Sequence, residues 1–482
     1  MRVERLLIAI ALLLALPVWA GLDHGSSASP AIPGGVSETK RMSGAEGPAR
    51  ARGEEAPPSQ GGVTHIQHWM SASGARVYFV ENRDLPMLDV SVTFDAGSAR
   101  DPSPAAAGLA RMTRQLMSLG AGPWSEQALA EALADVGAAL SGHFDADRAG
   151  FSLRTLSHSR ERERALAVLR AVLAEPHFAP AVLAREKARA VAGLKEAVTQ
   201  PDYLGEKAFQ AALYAGHPYA QEASGEIEAI ERLTVEDLRA FHQRHYVARN
   251  ATVAIMGDID RAGAQTLAEF LTAALPQGEA PPPLPEVQVA ATGSERVIPH
   301  HATQSHIFVG LPAIKRDDPD FFPLVVGNYI LGGGGFDSRL LTEIRVKRGL
   351  AYSAFSMLAP MQALGPFRMG LQTRREATDE ALKVVRQTLE AFLREGPTEA
   401  ELRQAKDFLT GSFPLRLDSN RKILDQLALI GFYKLPLDWL AQYPARVEAV
   451  TREDILRAFR ARIRPEALHT VVVGGQIEAQ TR

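Results

Sequence analysis

Thr234-Val-Glu-Asp-Leu-Arg-Ala-Phe241, followed by Thr252-Val-Ala-Ile-Met-Gly257, decides the architecture because the pattern occurs twice. Its second copy is Thr451-Arg-Glu-Asp-Ile-Leu-Arg-Ala-Phe459, followed by Thr470-Val-Val-Val-Gly474. In each, a threonine able to cap a helix precedes an acidic first turn, a helix follows, and an apolar strand closes the unit. The copies lie 217 residues apart, from Thr234 to Thr451, so the chain reads as a duplicated domain of about 200 residues.

Two composition breaks frame the copies. Pro276 to Val289 contains Pro281-Pro-Pro-Leu-Pro285, and polyproline favours an extended, semi-rigid connection; the linker is placed at 276–291. Residues 21–62 are rich in Gly, Ser, Pro and Ala and bury too little to offset their ordering entropy, which predicts a flexible, disordered tether. The first domain is then 63–275 and the second 292–482. Leu88, Val90, Val92 and Phe94 alternate with polar residues, as in a half-buried strand. Leu129, Leu133, Val136 and Leu140 recur at helical spacing, and Thr398-Glu-Ala-Glu401 reads as a capping box. The expected class is α+β, with antiparallel-rich sheets and helices on one face.

The 482 residues are 46% hydrophobic and carry a formal charge of −3 without a basic stripe, so nothing points to nucleic acid. Met1-Arg-Val-Glu-Arg5 is a net-positive start, Leu6 to Trp19 is apolar, and Val18-Trp19-Ala20 fits a signal-peptidase site. The apolar run is short of the roughly 20 residues of a membrane span, so residues 1–20 read as a signal peptide, with an uncleaved membrane anchor as the alternative. There is no cysteine; a lipoprotein anchor is excluded, and the expected location is a bacterial periplasm, with no membrane span after cleavage.

Leu331-Gly-Gly-Gly-Gly-Phe-Asp-Ser-Arg-Leu340 and Thr342-Glu-Ile-Arg-Val-Lys-Arg-Gly-Leu-Ala-Tyr-Ser353 resemble a segment of the pitrilysin/insulinase-type zinc metallopeptidases, mitochondrial-processing-peptidase-like members included. A looser likeness covers about 65–480, including Ala96-Gly-Ser-Ala-Arg-Asp101 and Gly108-Leu-Ala110. The resemblance implies two tandem α/β-layer domains forming half of a clamshell. It also marks a departure. The family's His-x-x-Glu-His sets two zinc-binding imidazoles and a general-base glutamate on one helix face. The matching residues here are Arg111-Met-Thr-Arg-Gln115, and the distant glutamate ligand maps to Gly193, with Glu196 one helical turn off. Arg111 and Arg114 stay protonated and repel a divalent cation. No cofactor is expected in this chain. The histidines of His65-x-x-His68 and His242-x-x-His245, with His300, His301 and His306, read as surface or packing residues.

In the second domain the resemblance implies that Arg345 and Tyr352 reach across the clamshell to the zinc centre of the other half. A phenol can donate to a tetrahedral oxyanion and a guanidinium can hold a substrate carbonyl. By residue type alone, Arg345 is a solvated helix residue and Tyr352 a half-buried strand residue. Gly332, Gly333, Gly334 and Gly335 lack the Gly-Lys-Ser/Thr ending of a phosphate loop. They read as a turn that lets substrate or partner approach, or as a structural helix-to-helix turn. The leading expectation is a metal-free subunit of a heterodimeric zinc peptidase. Its homologous partner would carry zinc, and this chain would bind extended peptide by strand addition and supply Arg345 and Tyr352 in trans. The alternatives are a non-catalytic assembly protein of the same fold and an independent hydrolase with an unrecognised metal site.

Overall fold

Two sheets carry the chain, built to one plan. The first holds β1 (Gln67–Met70), β2 (Arg76–Glu81), β3 (Met87–Phe94), β4 (Ala139–Phe144), β5 (Ala149–Leu156) and β6 (Ala251–Gly257), in the order β1-β2-β6-β3-β5-β4. The second holds β7 (Glu295–Ile298), β8 (Gln304–Ile314), β9 (Ala354–Leu358), β10 (Gly365–Arg374) and β11 (His469–Val473), in the order β7-β11-β8-β10-β9. Without β1 the orders superimpose, down to the single parallel pair in each, β2–β6 and β7–β11. These are coordinates of a computed structural model and describe residues 65–474; the segments expected from sequence to be a signal peptide (1–20) and a tether (21–62) lie outside the described residues.

The alternation at Leu88, Val90, Val92 and Phe94 does become a strand. All four are fully buried on one face of β3, where Val90 lies between Ile255 and Leu153. The opposite face of that sheet carries Asp89, Ser91, Thr93, Ser152 and Arg154, joined by Arg154–Asp89 and Ser152–Ser91 hydrogen bonds.

The helices that position the candidate site are, in chain order, α1 (Leu109–Met117), α2 (Glu126–Ala134), α3 (Pro180–Ala197), α4 (Pro201–Leu213), α5 (Val235–His245), α6 (Asn420–Tyr433) and α7 (Arg452–Arg462). The repeated threonines act as their sequence requires. Thr234 and Thr451 each close a reciprocal capping box with the aspartate three residues on, satisfying amide groups that the first helical turn leaves open. Thr398 does the same with Glu401.

One helical expectation fails. Leu129 and Leu133 lie on α2, but Leu140 lies on β4. Gly137 sits in the left-handed region at φ 59°, which side chains with a Cβ disfavour, and the chain reverses there.

Each domain also lends a helix to the other's sheet. From the first domain, α4 crosses β8 and β11: Phe209 meets Phe308 with ring centroids 6.1 Å apart, and Glu206 accepts from Arg368 at 2.9 Å. From the second, α6 crosses β2, β3 and β6, where Asn420 accepts from Asn82 at 3.2 Å. A glycine stands at each crossing. A Cβ on Gly205 would lie 2.1 Å from the Phe308 ring, and one on Gly431 would lie 2.6 Å from Thr252 and 2.7 Å from Tyr78. The polar sheet face described above is therefore covered by α6, and the helices on one face expected from sequence are joined by a borrowed one on the other.

The Pro-rich linker is fastened as well. Val287 is buried in an inter-domain cluster with Phe209, Tyr214, Tyr219 and Val471, and His217 Nε2 donates to the Pro285 carbonyl at 3.0 Å.

Candidate functional site

The helix α1 that carries the degenerate motif is fixed at its start by Asp101. Its carboxylate accepts from Gly108 N at 2.8 Å and Ala110 N at 2.7 Å, a negative charge against the positive helix end. Burial pushes this carboxyl up to about 7 against those hydrogen bonds. The segments Ala96–Asp101 and Gly108–Ala110 thus act together: one caps the helix the other begins.

On α1, Met112, Leu116 and Met117 are buried in the first domain's core. Arg111, Arg114 and Gln115 share the half-exposed face, as positions three and four apart must. Gln115 Nε2 donates to Glu186 Oε2 of α3 at 2.8 Å. Glu186 is 3% exposed, and its other oxygen accepts from Arg185 Nε at 2.7 Å and Arg189 at 2.9 Å. Arg111 has no hydrogen bond or ion pair with any described residue. Arg114 runs flat across β4, where a Cβ on Gly142 would lie 2.1 Å from its Nη1 and 3.0 Å from its Cζ. Gly193, two turns beyond Glu186 on α3, is exposed with open space around it.

Sequence reasoning missed Glu186, although a signal was present. Leu183, Glu186 and Leu194 are the buried positions of α3, so Glu186 is an acid at core spacing, where an unpaired carboxylate is costly.

This donor set does not fit zinc. Arg111 and Arg114 offer only N–H donors, Gln115 is engaged with Glu186, and Gly193 has no side chain. Among the described residues no three His, Cys, Asp or Glu side chains are grouped as a metal would need. The histidine pairs have other tasks. His242 donates to Leu173 O at 2.8 Å and stacks on Tyr246, His68 lies on Tyr78 and bonds Val77 O at 2.9 Å, and His300 bonds Thr199 O at 3.1 Å. His306 pairs with Asp202.

In the second domain a π-turn at Tyr329–Gly333 leads into the glycine run. Gly332 packs so closely that a Cβ would lie 2.3 Å from Ser356 N; Gly333 and Gly334 press on Asn328 and Tyr329, and Gly335 turns at φ 65° into open space. The first three glycines are thus needed for packing, and Gly335 alone borders solvent freely. Arg345 lies in a second π-turn, Thr342–Val346. Its guanidinium stands 4.4 Å from the Tyr352 ring centre and 5.0 Å from that of Phe336. Tyr352 is 80% exposed and precedes β9, so it is neither on a strand nor half-buried.

Residues 76–226 match the model of the insulinase peptidases, family M16, and residues 232–409 match the "Peptidase M16 inactive domain". The solved "peptidase M16 inactive domain" of Pseudomonas fluorescens is 36% identical, with a TM-score of 0.83 over 86% of this chain and 98% of that one. The chain belongs to the M16 peptidase family. Among M16 relatives, a Helicobacter pylori protein called "Non-peptidase homolog YmxG" is 29% identical over 79% of this chain and 87% of its own. An "Uncharacterized zinc protease" of Streptomyces coelicolor is 29% identical over 51% of this chain and 55% of its own length. This M16 member is a peptidase-like protein of the inactive kind, whose zinc-helix positions hold two arginines and a committed glutamine. No helix of its described residues is long and apolar enough to cross a membrane.

Proposed function

We propose that this chain is the metal-free subunit of a heterodimeric M16 peptidase, exported to the periplasm. It closes the chamber around extended peptide and supplies Arg345 and Tyr352 to a zinc-bearing homologous subunit. The observation that carries this reading is an asymmetry. The zinc-helix face holds Arg111, Arg114 and Gln115, while Arg345 and Tyr352 stand together at the surface, stacked at 4.4 Å. A stacked guanidinium keeps its N–H edge available for a carbonyl, and an exposed phenol can reach a partner's oxyanion.

The test is reconstitution. Purified chain is mixed with a zinc-bearing homologous subunit from the same organism, and hydrolysis of a quenched-fluorescence peptide is followed. Turnover should rise on mixing and fall about a hundredfold with Tyr352→Phe, the usual scale for one lost oxyanion donor. Absence of any gain on mixing sinks the proposal. The name of the Helicobacter relative, "Non-peptidase homolog", favours a second reading, an assembly protein of the same fold. There the complex would form as well with Arg345→Ala and Tyr352→Phe as without them.

A further inference from the structure

The junction between the domains holds a guanidinium that no described residue satisfies. Arg316 follows the end of β8, and its amide donates to the Met361 carbonyl at 2.9 Å. Its side chain is half-buried and makes no hydrogen bond or ion pair with any described residue. Nε is sealed from solvent without an acceptor, whereas the two Nη atoms are not sealed, so the outer edge of the group can be reached. The head lies 5.0 Å from the centre of the Tyr433 ring at the end of α6. Arg148, at the tip of the β4–β5 hairpin, lies 5.5 Å from the same ring and 5.8 Å from that of Phe432. Two cations from different domains are thus gathered on one tyrosine.

The nearby acids give Arg316 no oxygen. Asp145 Oδ2 accepts from Arg148 Nε at 2.9 Å, and its Oδ1 accepts from the amides of Asp147 at 2.9 Å and Arg148 at 2.7 Å. Asp147 takes the hydroxyls of Tyr219 and Tyr433 and the amide of Gln362. Glu286 pairs with Lys315 and Asp318 with Arg462, each at 2.9 Å. Asp317 is exposed and forms no ion pair with its neighbour. Burial foremost, and the Arg148 charge after it, hold the Arg316 guanidinium below its ordinary pKa, with Asp147 and Asp145 opposing only through space. A half-buried cation in that state is stabilised by an anion able to accept two parallel N–H bonds.

We infer that Arg316, with Arg148 beside it, binds a carboxylate at the junction of the two domains. The guanidinium fork matches the plane of a carboxylate, and the half-buried Tyr433 and Met361 border it with apolar surface. A carboxylate on an apolar body, the C-terminus of a peptide or a small organic acid, suits this setting better than a doubly charged, strongly hydrated phosphate. The site stands on this chain alone and does not depend on the subunit role proposed above.

The test is a titration of the purified full chain with four probes at constant ionic strength: acetate, N-acetyl-Val-Val as the free acid, its C-terminal amide, and inorganic phosphate. Affinities come from calorimetry, and the place of binding from NMR of nitrogen-labelled arginine Nε–H groups, with Arg316 assigned by the resonance lost in Arg316→Lys. The free acid should move the Arg316 resonance and bind about tenfold more tightly than the amide, as a charge-assisted contact requires. Arg316→Gln should remove that preference in a chain that stays folded by circular dichroism. Arg316→Lys, which keeps the charge and loses the fork, should weaken it, and so should Arg148→Gln. Acetate binding as well as the free acid supports the site and assigns it to small organic acids; a free acid binding more tightly than acetate supports it and assigns it to a peptide terminus. Equal binding of acid and amide overturns the carboxylate reading, and tighter binding of phosphate overturns the ligand class. An Arg316 resonance that no probe moves, or full binding by Arg316→Gln, overturns the site. The reconstitution assay decides the trans-acting role separately, because it reads turnover with a partner and not affinity.

Discussion

Gln115 and Glu186, 71 positions apart, are joined by a 2.8 Å hydrogen bond that ties the degenerate zinc helix to the helix behind it. The glutamate serves three donors at once, Gln115, Arg185 and Arg189. It has the character of a structural anchor beside a site that no longer needs a ligand.

Removing that anchor should be costly. Glu186→Ala leaves a glutamine amide and two guanidinium groups without their shared acceptor, and stability should fall by about 1–3 kcal/mol. Urea unfolding measures this. A loss under about 0.5 kcal/mol would mean that water replaces the carboxylate without penalty.

Arg111, Arg114 and Gln115 occupy one face of α1, and Gly193 has open space at its Cβ. Restoring the donor set with Arg111→His, Arg114→Glu, Gln115→His and Gly193→Glu should therefore yield a chain that retains about one equivalent of zinc after dialysis, as a three-ligand site does. The unaltered chain should retain none. Metal analysis of both proteins checks the pair of outcomes, and zinc on the unaltered chain would revive an independent hydrolase.

Asp147 lies at the tip of the β4–β5 hairpin and is 1% exposed. It accepts from Tyr219, from Tyr433 at 2.9 Å and from Gln362 N at 2.9 Å, joining the two domains. Burial first, and the charge of Asp145 second, push its carboxyl up to about 6 from 3.8. The folded state then takes up this proton at a higher pH than the unfolded state, so acidification from about 6 towards 3.8 favours folding through this group. His143 opposes the trend, because burial holds it down at about 3. It is present in both proteins, so it cancels when wild type is compared with Asp147→Asn. The stability of wild type minus that of Asp147→Asn should grow as pH falls through this window. A pH-independent difference in urea melts would contradict the assignment.

The glycine run should divide by position. Gly332→Ala drives a Cβ to 2.3 Å from Ser356 N, a clash against backbone that should cost about 1–3 kcal/mol. Gly335→Ala meets nothing within 4 Å and adds only the cost of a Cβ in a left-handed turn, about 1 kcal/mol. Thermal melts of the two variants should preserve that order, and the reverse order would show that the turn is misread.

The repeat at Thr234 and Thr451, the capping boxes and the alternation along β3 could be read directly because each depends on residues within a turn or two of one another. The replacement of zinc ligands by Arg111, Arg114 and Gln115 was legible for the same reason: side-chain chemistry at one helix face excludes the ion wherever that helix lies. Leu140 shows the limit of such reading, since its spacing from Val136 suits a helix and only the reversal at Gly137 places it on a strand. Beyond that limit stand the bond from Gln115 to Glu186, the exchange of α4 and α6 between the sheets, and the contact of Asp147 with Tyr433, 286 positions away. No local propensity encodes these contacts. They form because two folded domains bring buried polar groups within reach of partners, and an unpaired group in that interior would be far costlier than the entropy of pairing it. By itself the sequence determined the duplicated fold and the replacement of the family's zinc-binding side chains on α1; the tertiary structure alone decided what that face is attached to, and that a strand edge lies open beside it.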